Sequence, residues 1–273
     1  MSILVFVETA NGELKKSSRE AVSYGAALAQ KSSGPVTALV LGSMDQDQLA
    51  SLGNNGADRV LVVPDSRLDH GILQAYASCI MSAIKAENAN VLILAKSSLS
   101  DIVAGRVAAG LKAGIVTNVV ELPDLSEGFT VKKSIYTGKA FASVELKSHV
   151  KILGIAKNAV NLKEDGPDAP VNELQVTLDE GDLSVAISKV EKAEGDVLLS
   201  EAEIVVSGGR GLKGPENWGM VEELARELGA ATGCSKPVSD LGWRPHHEHV
   251  GQTGVKVSPN LYIAIGISGA IQH

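Results

Sequence analysis

Short apolar runs alternate with segments of helical period along the first 115 residues, and this alternation restricts the fold more than any other feature. The runs "ILVFVE" (3–8), "VTALVLG" (36–42), "DRVLVVP" (58–64) and "NVLILAK" (90–96) are rich in β-branched residues, which favours strands. Strands that are separated by helices pair in parallel through crossover connections. The unit occurs about four times, which predicts one doubly wound α/β domain with a mostly parallel sheet.

The helical segments between these runs carry recognisable start signals. "SSREAVSYGAALAQ" (17–30) predicts a helix with a capping box between Ser17 and Glu20, and a short helix is expected near 45–53. "SSLSDIVAGRVAAGLKA" opens a further helix with serines and Asp101 at its start. The helix that follows Asp69 places one set of small and apolar residues on a single face: Ala75, Cys79, Ile80, Ala83 and Ile84.

The pattern changes from about residue 115. "IVTNVVEL", "GFTVKKSIYTG", "KAFASVELKS" and "VKILGIA" read as antiparallel strands added to the same sheet. A polar connection (157–170) precedes a strand-like section (173–193), after which a second, Rossmann-like α/β unit begins. We therefore expect two domains, 1–195 and 196–273.

Composition and charge exclude several classes of function. The 273 residues carry a net charge of -7 and only 3% aromatics, which argues against nucleic acid and anionic membranes as partners. No apolar stretch approaches the ~20 residues that span a bilayer. The start "MSILVFVE" lacks the features of a targeting peptide, and the two distant cysteines, Cys79 and Cys234, are expected to be small buried residues. A cytoplasmic location is the expectation.

A glycine-rich loop lies in "IVVSGGRGLKGPENW" (204–218). It contains G-x-G-x-x-G after a strand and before a helix, a weak signal for dinucleotide binding on its own. Pro215 belongs at a first helical position, so the helix is expected to start after the motif, which speaks against the usual tight Rossmann turn. Backbone N–H groups and Arg210 in such a loop suit a pyrophosphate, and a flexible loop with a solvated arginine is the equal alternative.

Two further clusters follow. "VGQTG" (250–254) places an amide and a hydroxyl between glycines, where a flat ring can approach the backbone, although alone it is more typical of a hairpin turn. "GISGAIQH" (266–273) follows an apolar run at the carboxyl end of a strand, where open α/β sheets bind ligands. A lone terminal histidine is by itself usually solvated.

These clusters occur together with "GCSKPVSD" (233–240), and in this order and spacing they closely resemble the FAD domain of the electron-transfer flavoprotein alpha subunit. The N-terminal runs, including "GADRVLVVP" and "IYTGKAFASVEL", look like the first domain of that family. The resemblance runs through essentially the whole chain.

The resemblance implies a redox carrier that converts no organic substrate of its own. It implies a heterodimer with a beta subunit that holds AMP, and one FAD on the second domain of this chain. Electrons would arrive from flavin dehydrogenases such as the acyl-CoA dehydrogenases of fatty acid β-oxidation and leave toward a membrane quinone reductase. The first domain would pair with the beta subunit.

The resemblance also assigns residues to the cofactor. Thr253 is expected near flavin N5, and His273 is expected at the C2 carbonyl, where a donor favours negative charge and separates the two one-electron steps. The full set of cofactor-binding residues that it implies is Gly209, Arg210, Gly211, Ser235, Lys236, Val250, Gly251, Gln252, Thr253, Ser268, Gly269, Ala270, Ile271, Gln272 and His273.

Two departures from the family pattern stand out. Lys236 replaces the usual arginine, which keeps the charge but loses the planar fork, so the flavin potential is expected to differ. Family members also continue past the Gln-His pair, so the FAD domain is expected to be C-terminally incomplete here, with weak FAD binding on this chain alone.

Two readings from other classes remain open at this point. One is a stress-type nucleotide-binding α/β module in which the "KSSLSD" turn cradles phosphate, although helix capping explains those serines equally well. The other is a docking scaffold without a cofactor. A bound yellow cofactor would distinguish the flavoprotein interpretation from both of these alternatives.

Overall fold

The computed structural model describes residues 1–10, 12–185, 187–188, 199 and 202–270. The chain divides into two compact units, Met1–Ser188 and Lys189–His273. The domain boundary predicted near residue 195 lies outside the described residues.

The first unit is built on a nine-stranded sheet with the order β11-β5-β4-β1-β6-β10-β7-β8-β9. A small antiparallel hairpin, β2 with β3, stands beside it. In chain order the strands are β1 (Ile3–Val7), β2 (Thr9–Ala10), β3 (Glu13–Leu14), β4 (Val36–Leu41), β5 (Arg59–Val63), β6 (Val91–Ala95), β7 (Gly114–Val119), β8 (Thr130–Ile135), β9 (Ala140–Glu145), β10 (Lys151–Ile155) and β11 (Val171–Glu173).

Helices cover both faces of this sheet, as the sequence predicts. They are α1 (Lys16–Ser32), α2 (Gln46–Ala50), α3 (Leu73–Ala86) and α4 (Ser98–Leu111). Alternate residues of β1 enter two separate cores, one with α1 and the other with α3 and α4. The predicted inner face of α3 is buried, Cys79 included. The mostly parallel, doubly wound architecture is confirmed.

The prediction of antiparallel strands after residue 115 is only half right. β8 is antiparallel to β7 and to β9, but β10 inserts between β6 and β7 and is parallel to both. Because β10 lies inside the sheet, its residues from Ile152 to Ile155 are all buried. The strand-like section predicted at 173–193 is wrong over 174–185, which contains no strand; its first residue, Glu173, is the last residue of β11. Residues 189–193 lie outside the described residues.

The predicted capping box at α1 is also wrong. The helix begins at Lys16, after Lys15, and no side chain caps it. Glu20 is buried instead, and its carboxylate accepts the backbone N–H of Asn158. The capping box occurs at α4, where the Ser97 hydroxyl accepts the N–H of Ser100 and the Ser100 hydroxyl accepts that of Ser97.

The second unit contains three parallel strands in the order β13-β12-β14. They are β12 (Ile204–Gly208), β13 (Ala231–Cys234) and β14 (Leu261–Ile265), with helices α5 (Gly219–Leu228) and α6 (Lys236–Asp240). A core that includes Val206, Trp218 and Cys234 lies between this sheet and α5. Burial raises the pKa of both cysteine thiols to about 12, in line with the predicted role as small buried residues.

Two broad classes of feature are missing from the described part of the chain. None of its helices combines the length and apolarity needed to cross a membrane. Its histidine, cysteine and acidic side chains form no group of three or more that could hold a metal ion.

Candidate functional site

The carboxyl ends of β12, β13 and β14 point to the same edge of the second sheet because the three strands are parallel. β12 is central, and the chain leaves it through α5 to reach β13 on one side, while β14 pairs on the other. Open α/β sheets bind ligands at such a reversal of strand order. Most of the residues predicted from the sequence follow the ends of these strands.

The loop after β12 is in backbone contact with the loop after β14. The N–H of Gly209 donates to the carbonyl of Ile265 at 2.8 Å, and the N–H of Gly211 donates to that of Gly266 at 2.9 Å. A Cβ on Gly209 would lie 2.3 Å from the Gly266 oxygen, and one on Gly211 would lie 2.7 Å from it. Gly209 and Gly211 are therefore required by this close approach of two backbones.

The third glycine of the motif has a different role. Gly214 adopts an extended conformation, and Pro215 opens a 3-10 turn that ends at Asn217 before α5 begins at Gly219. The helix thus starts after the motif, as the proline predicts. The loop is longer than the turn of a usual Rossmann unit.

Unsatisfied donors gather where these two loops meet. The Arg210 side chain is exposed, and the described part of the chain offers it no ion pair or side-chain hydrogen bond. The backbone N–H groups of Ser268, Gly269 and Ala270 likewise have no partner among the described residues. The loop that carries Arg210 contacts the loop that leads to these N–H groups, and a cation together with such donors suits an anion.

Ser235 and Lys236 stand at the end of β13. The N–H of Ser235 donates to the carbonyl of Gly208 at 3.0 Å, which ties this end to that of β12. Ser235 is buried, whereas Lys236 is exposed at the first position of α6 and has no partner in the described chain. A second exposed cation therefore follows the neighbouring strand at the same edge.

The "VGQTG" turn extends this edge beyond β13. The N–H of Val250 donates to the carbonyl of Cys234 at 2.9 Å, and Gly254 closes the turn by donating to Gly251 at 3.1 Å. Gly251 has a φ of +140°, a conformation that favours glycine. Gln252 and Thr253 are exposed at the tip of the turn.

The structure thus brings the described members of the predicted site to one edge: Gly209, Arg210, Gly211, Ser235, Lys236, Val250, Gly251, Gln252, Thr253, Ser268, Gly269 and Ala270. The remaining three, Ile271, Gln272 and His273, lie outside the described residues.

Arg244 is a further residue of this region, and our sequence reasoning missed it. Its guanidinium donates to both carboxylate oxygens of Glu248 at 2.9 and 2.6 Å and to Glu222 at 2.7 Å, and it lies 5.4 Å from the ring centre of Trp218. The hydrogen bonds to Glu248 hold the pKa of Arg244 above its ordinary value. The four-residue spacing of Arg244 and Glu248 was the available signal.

Comparison with known proteins finds one family in each of the two units of the chain. Residues 3–179 match the electron transfer flavoprotein domain family, and residues 198–273 match the electron transfer flavoprotein FAD-binding domain family.

Relatives align along almost the whole chain. The electron transfer flavoprotein alpha subunits of Bacillus subtilis, Syntrophomonas wolfei and Paracoccus denitrificans are 32%, 35% and 34% identical to it. The alignments cover 99%, 98% and 100% of this chain and 83%, 84% and 86% of those subunits. The chain therefore belongs to the electron transfer flavoprotein alpha subunit family, whose members are electron carriers rather than enzymes.

Proposed function

We propose that this chain is the alpha subunit of a heterodimeric electron carrier that binds one FAD at the carboxyl edge of its second sheet. The carrier takes single electrons from flavin dehydrogenases, such as acyl-CoA dehydrogenases, and delivers them to a membrane quinone reductase. The observation that carries the proposal is the convergence of four loops on one edge of three parallel strands, with two cations that have no partner among the described residues. We place the carrier in the cytoplasm.

The donors at this edge fit the chemistry of FAD. Arg210 and the N–H groups of Ser268–Ala270 suit the pyrophosphate, which needs positive charge and several hydrogen-bond donors. Because Gly209 and Gly211 have no Cβ, the two glycine loops can be in backbone contact, and this contact keeps their hydrogen-bond donors close together. FAD itself supplies the one-electron chemistry when it is bound.

We assign the flavin ring to the part of the edge that lies beyond β13. Gln252 and Thr253 present directional hydrogen-bonding groups there, and Lys236 adds positive charge. A cation near the ring favours reduced, more negative forms of the flavin and so raises its potential. We also assign His273 to the flavin C2 carbonyl as a hydrogen-bond donor.

We assign the AMP to the partner beta subunit, and the packing of the first unit supports this. Glu8 is only 4% exposed, and its carboxylate accepts hydrogen bonds from the Ser97 hydroxyl and, at 2.8 Å, from Lys15 Nζ. A carboxylate therefore already lies at the start of α4, where the "KSSLSD" turn would have to hold a phosphate. No observation in the described chain favours the stress-type nucleotide module.

The test is the visible absorbance spectrum of the chain purified together with its beta subunit. We expect flavin bands, FAD and AMP released on denaturation, and AMP in the beta subunit. Arg210→Met removes a charge-assisted hydrogen bond worth about 1.5–3 kcal/mol, so the dissociation constant for FAD should rise about tenfold or more. Arg226→Met on α5 is the matched control, because Arg226 is exposed and unpaired in the described chain.

Either of two results would count against the proposal. A complex that binds no flavin even with added FAD would contradict the redox function and favour the nucleotide-binding module. Equal FAD affinity in Arg210→Met and Arg226→Met would show that Arg210 in the glycine loop does not bind the pyrophosphate.

A further inference from the structure

We infer that Arg244 is a positioning residue that holds the "VGQTG" turn in register with the glycine loop, so that one bound flavin can meet both. The inference rests on the proposed function, because it concerns how the second unit grips FAD. It assigns a role to a side chain that is not among the predicted cofactor-binding residues.

The guanidinium fork of Arg244 connects two segments. Its Nε and Nη2 atoms bind Glu248, in the 3-10 turn His246–Glu248, and its Nη1 atom binds Glu222 on α5. Three hydrogen bonds from one planar group fix the direction as well as the distance between the two segments.

On one side, the connection leads to the glycine loop. Trp218 is 3% exposed, lies against the Arg244 guanidinium and stands where α5 begins. A Cβ on Gly208 would lie 2.5 Å from the Trp218 ring, so the ring packs directly on the backbone that leads into the loop. The position of Trp218 therefore sets where the loop after β12 starts.

On the other side, the connection leads to the turn. Glu248 is buried and is followed by His249 and Val250, whose backbone pairs with Cys234 and Val255. The turn Gly251–Gly254 begins at the next residue. A shift of Glu248 would therefore be passed along two residues to the turn.

Between α6 and the backbone bridge at His249, the described segment has little regular structure to hold it. It contains one 3-10 turn, and such turns are weak on their own. Without Arg244, the buried Glu248 carboxylate would lose its cation and move toward water. The pair thus determines where the segment lies, whereas Glu222, which is about half exposed, contributes less.

The test compares Arg244→Met, Arg244→Lys and the control Arg226→Met in the complex with the beta subunit. Methionine keeps much of the side-chain volume but removes the charge, and lysine keeps the charge but loses the fork. The readouts are the FAD dissociation constant, the shape of the visible flavin bands, the one-electron potentials and the thermal unfolding of the apoprotein.

We expect Arg244→Met to weaken FAD binding about tenfold or more and to shift both the flavin bands and the potentials. Arg244→Lys should bind FAD more tightly than Arg244→Met, and the shape of its flavin bands should lie between those of Arg244→Met and the wild type. Arg226→Met should match the wild type in all four readouts. A Glu248→Gln change should shift the bands in the same direction, and the double variant with Arg244→Met should lose little more.

Wild-type flavin bands and potentials in Arg244→Met would overturn the inference while the proposed function stands. If Arg244→Met does not fold, Arg244→Lys decides by the same criterion, and wild-type bands there would again overturn it. Failure of the wild-type complex to bind FAD is a separate result that removes the proposed function itself.

Discussion

Gly209→Ala should separate β12 from β14 at their carboxyl ends. The new methyl group would lie 2.3 Å from the Gly266 oxygen and 2.7 Å from both the Gly266 carbonyl carbon and the Ile267 Cα. Backbone atoms cannot rotate out of the way as a side chain does, so the loop after β14 must move by about 1 Å to reach normal contact.

The cost follows from what that movement disrupts. Overpacking of this kind typically costs about 1–3 kcal/mol. The hydrogen bonds from Gly209 to Ile265 and from Gly211 to Gly266 are stretched by the same movement, and each contributes about 1 kcal/mol. We therefore expect a loss of about 2–4 kcal/mol in the free energy of unfolding, a large share of the ~5–15 kcal/mol typical of a domain.

Tryptophan fluorescence during denaturant unfolding measures this loss selectively. The chain has two tryptophans, Trp218 and Trp243, and both belong to the second unit, so the signal reports on that unit alone. Gly219→Ala is the control, because nothing lies within 4 Å of a Cβ there and alanine is the better helix former. Equal unfolding midpoints for Gly209→Ala and Gly219→Ala would refute the account of the glycine loop.

The remaining predictions concern the flavin potential and the cysteines. Lys236→Arg should change the one-electron potentials of the complex while FAD still binds, and unchanged potentials would show that Lys236 does not face the ring. Cys79 and Cys234 should resist iodoacetamide at neutral pH in the native chain and react after denaturation, as mass spectrometry can show. Because burial raises both thiol pKa values from 9.0 to about 12, the unfolded thiols ionise first, so stability should fall as the pH rises from 9 toward 12.

The sequence predicts the regular frame well because the frame follows from local patterns. The apolar runs at 3–8, 36–42, 58–64 and 90–96 all form parallel strands, since continuous burial requires continuous apolarity. Alternation does not reveal strand direction, however. β7 is only partly buried, yet it pairs in parallel with β10, which arrives some 30 residues later in the chain.

Local signals also compete with tertiary contacts that the sequence does not display. Ser17 and Glu20 have capping-box spacing, but burying Glu20 against the backbone of Asn158 uses the same carboxylate. At the site, the pattern of glycines predicts a loop, but its reason lies in a contact between Gly209 and Gly266, 57 positions apart. Long-range contacts of this kind are not encoded in spacing along the chain.

The two exposed cations at the carboxyl edge of the second sheet have a consequence for how such a protein can diversify. Arg210 and Lys236 form no ion pair within the described chain, so a change at either position leaves the packing of the three strands intact. Gly209 and Arg244 lack that freedom, because backbone and carboxylate contacts fix their identities. Under the proposed function, mutation at these exposed cations would change the charge near the cofactor, and with it the driving force for electron transfer, without loss of fold stability.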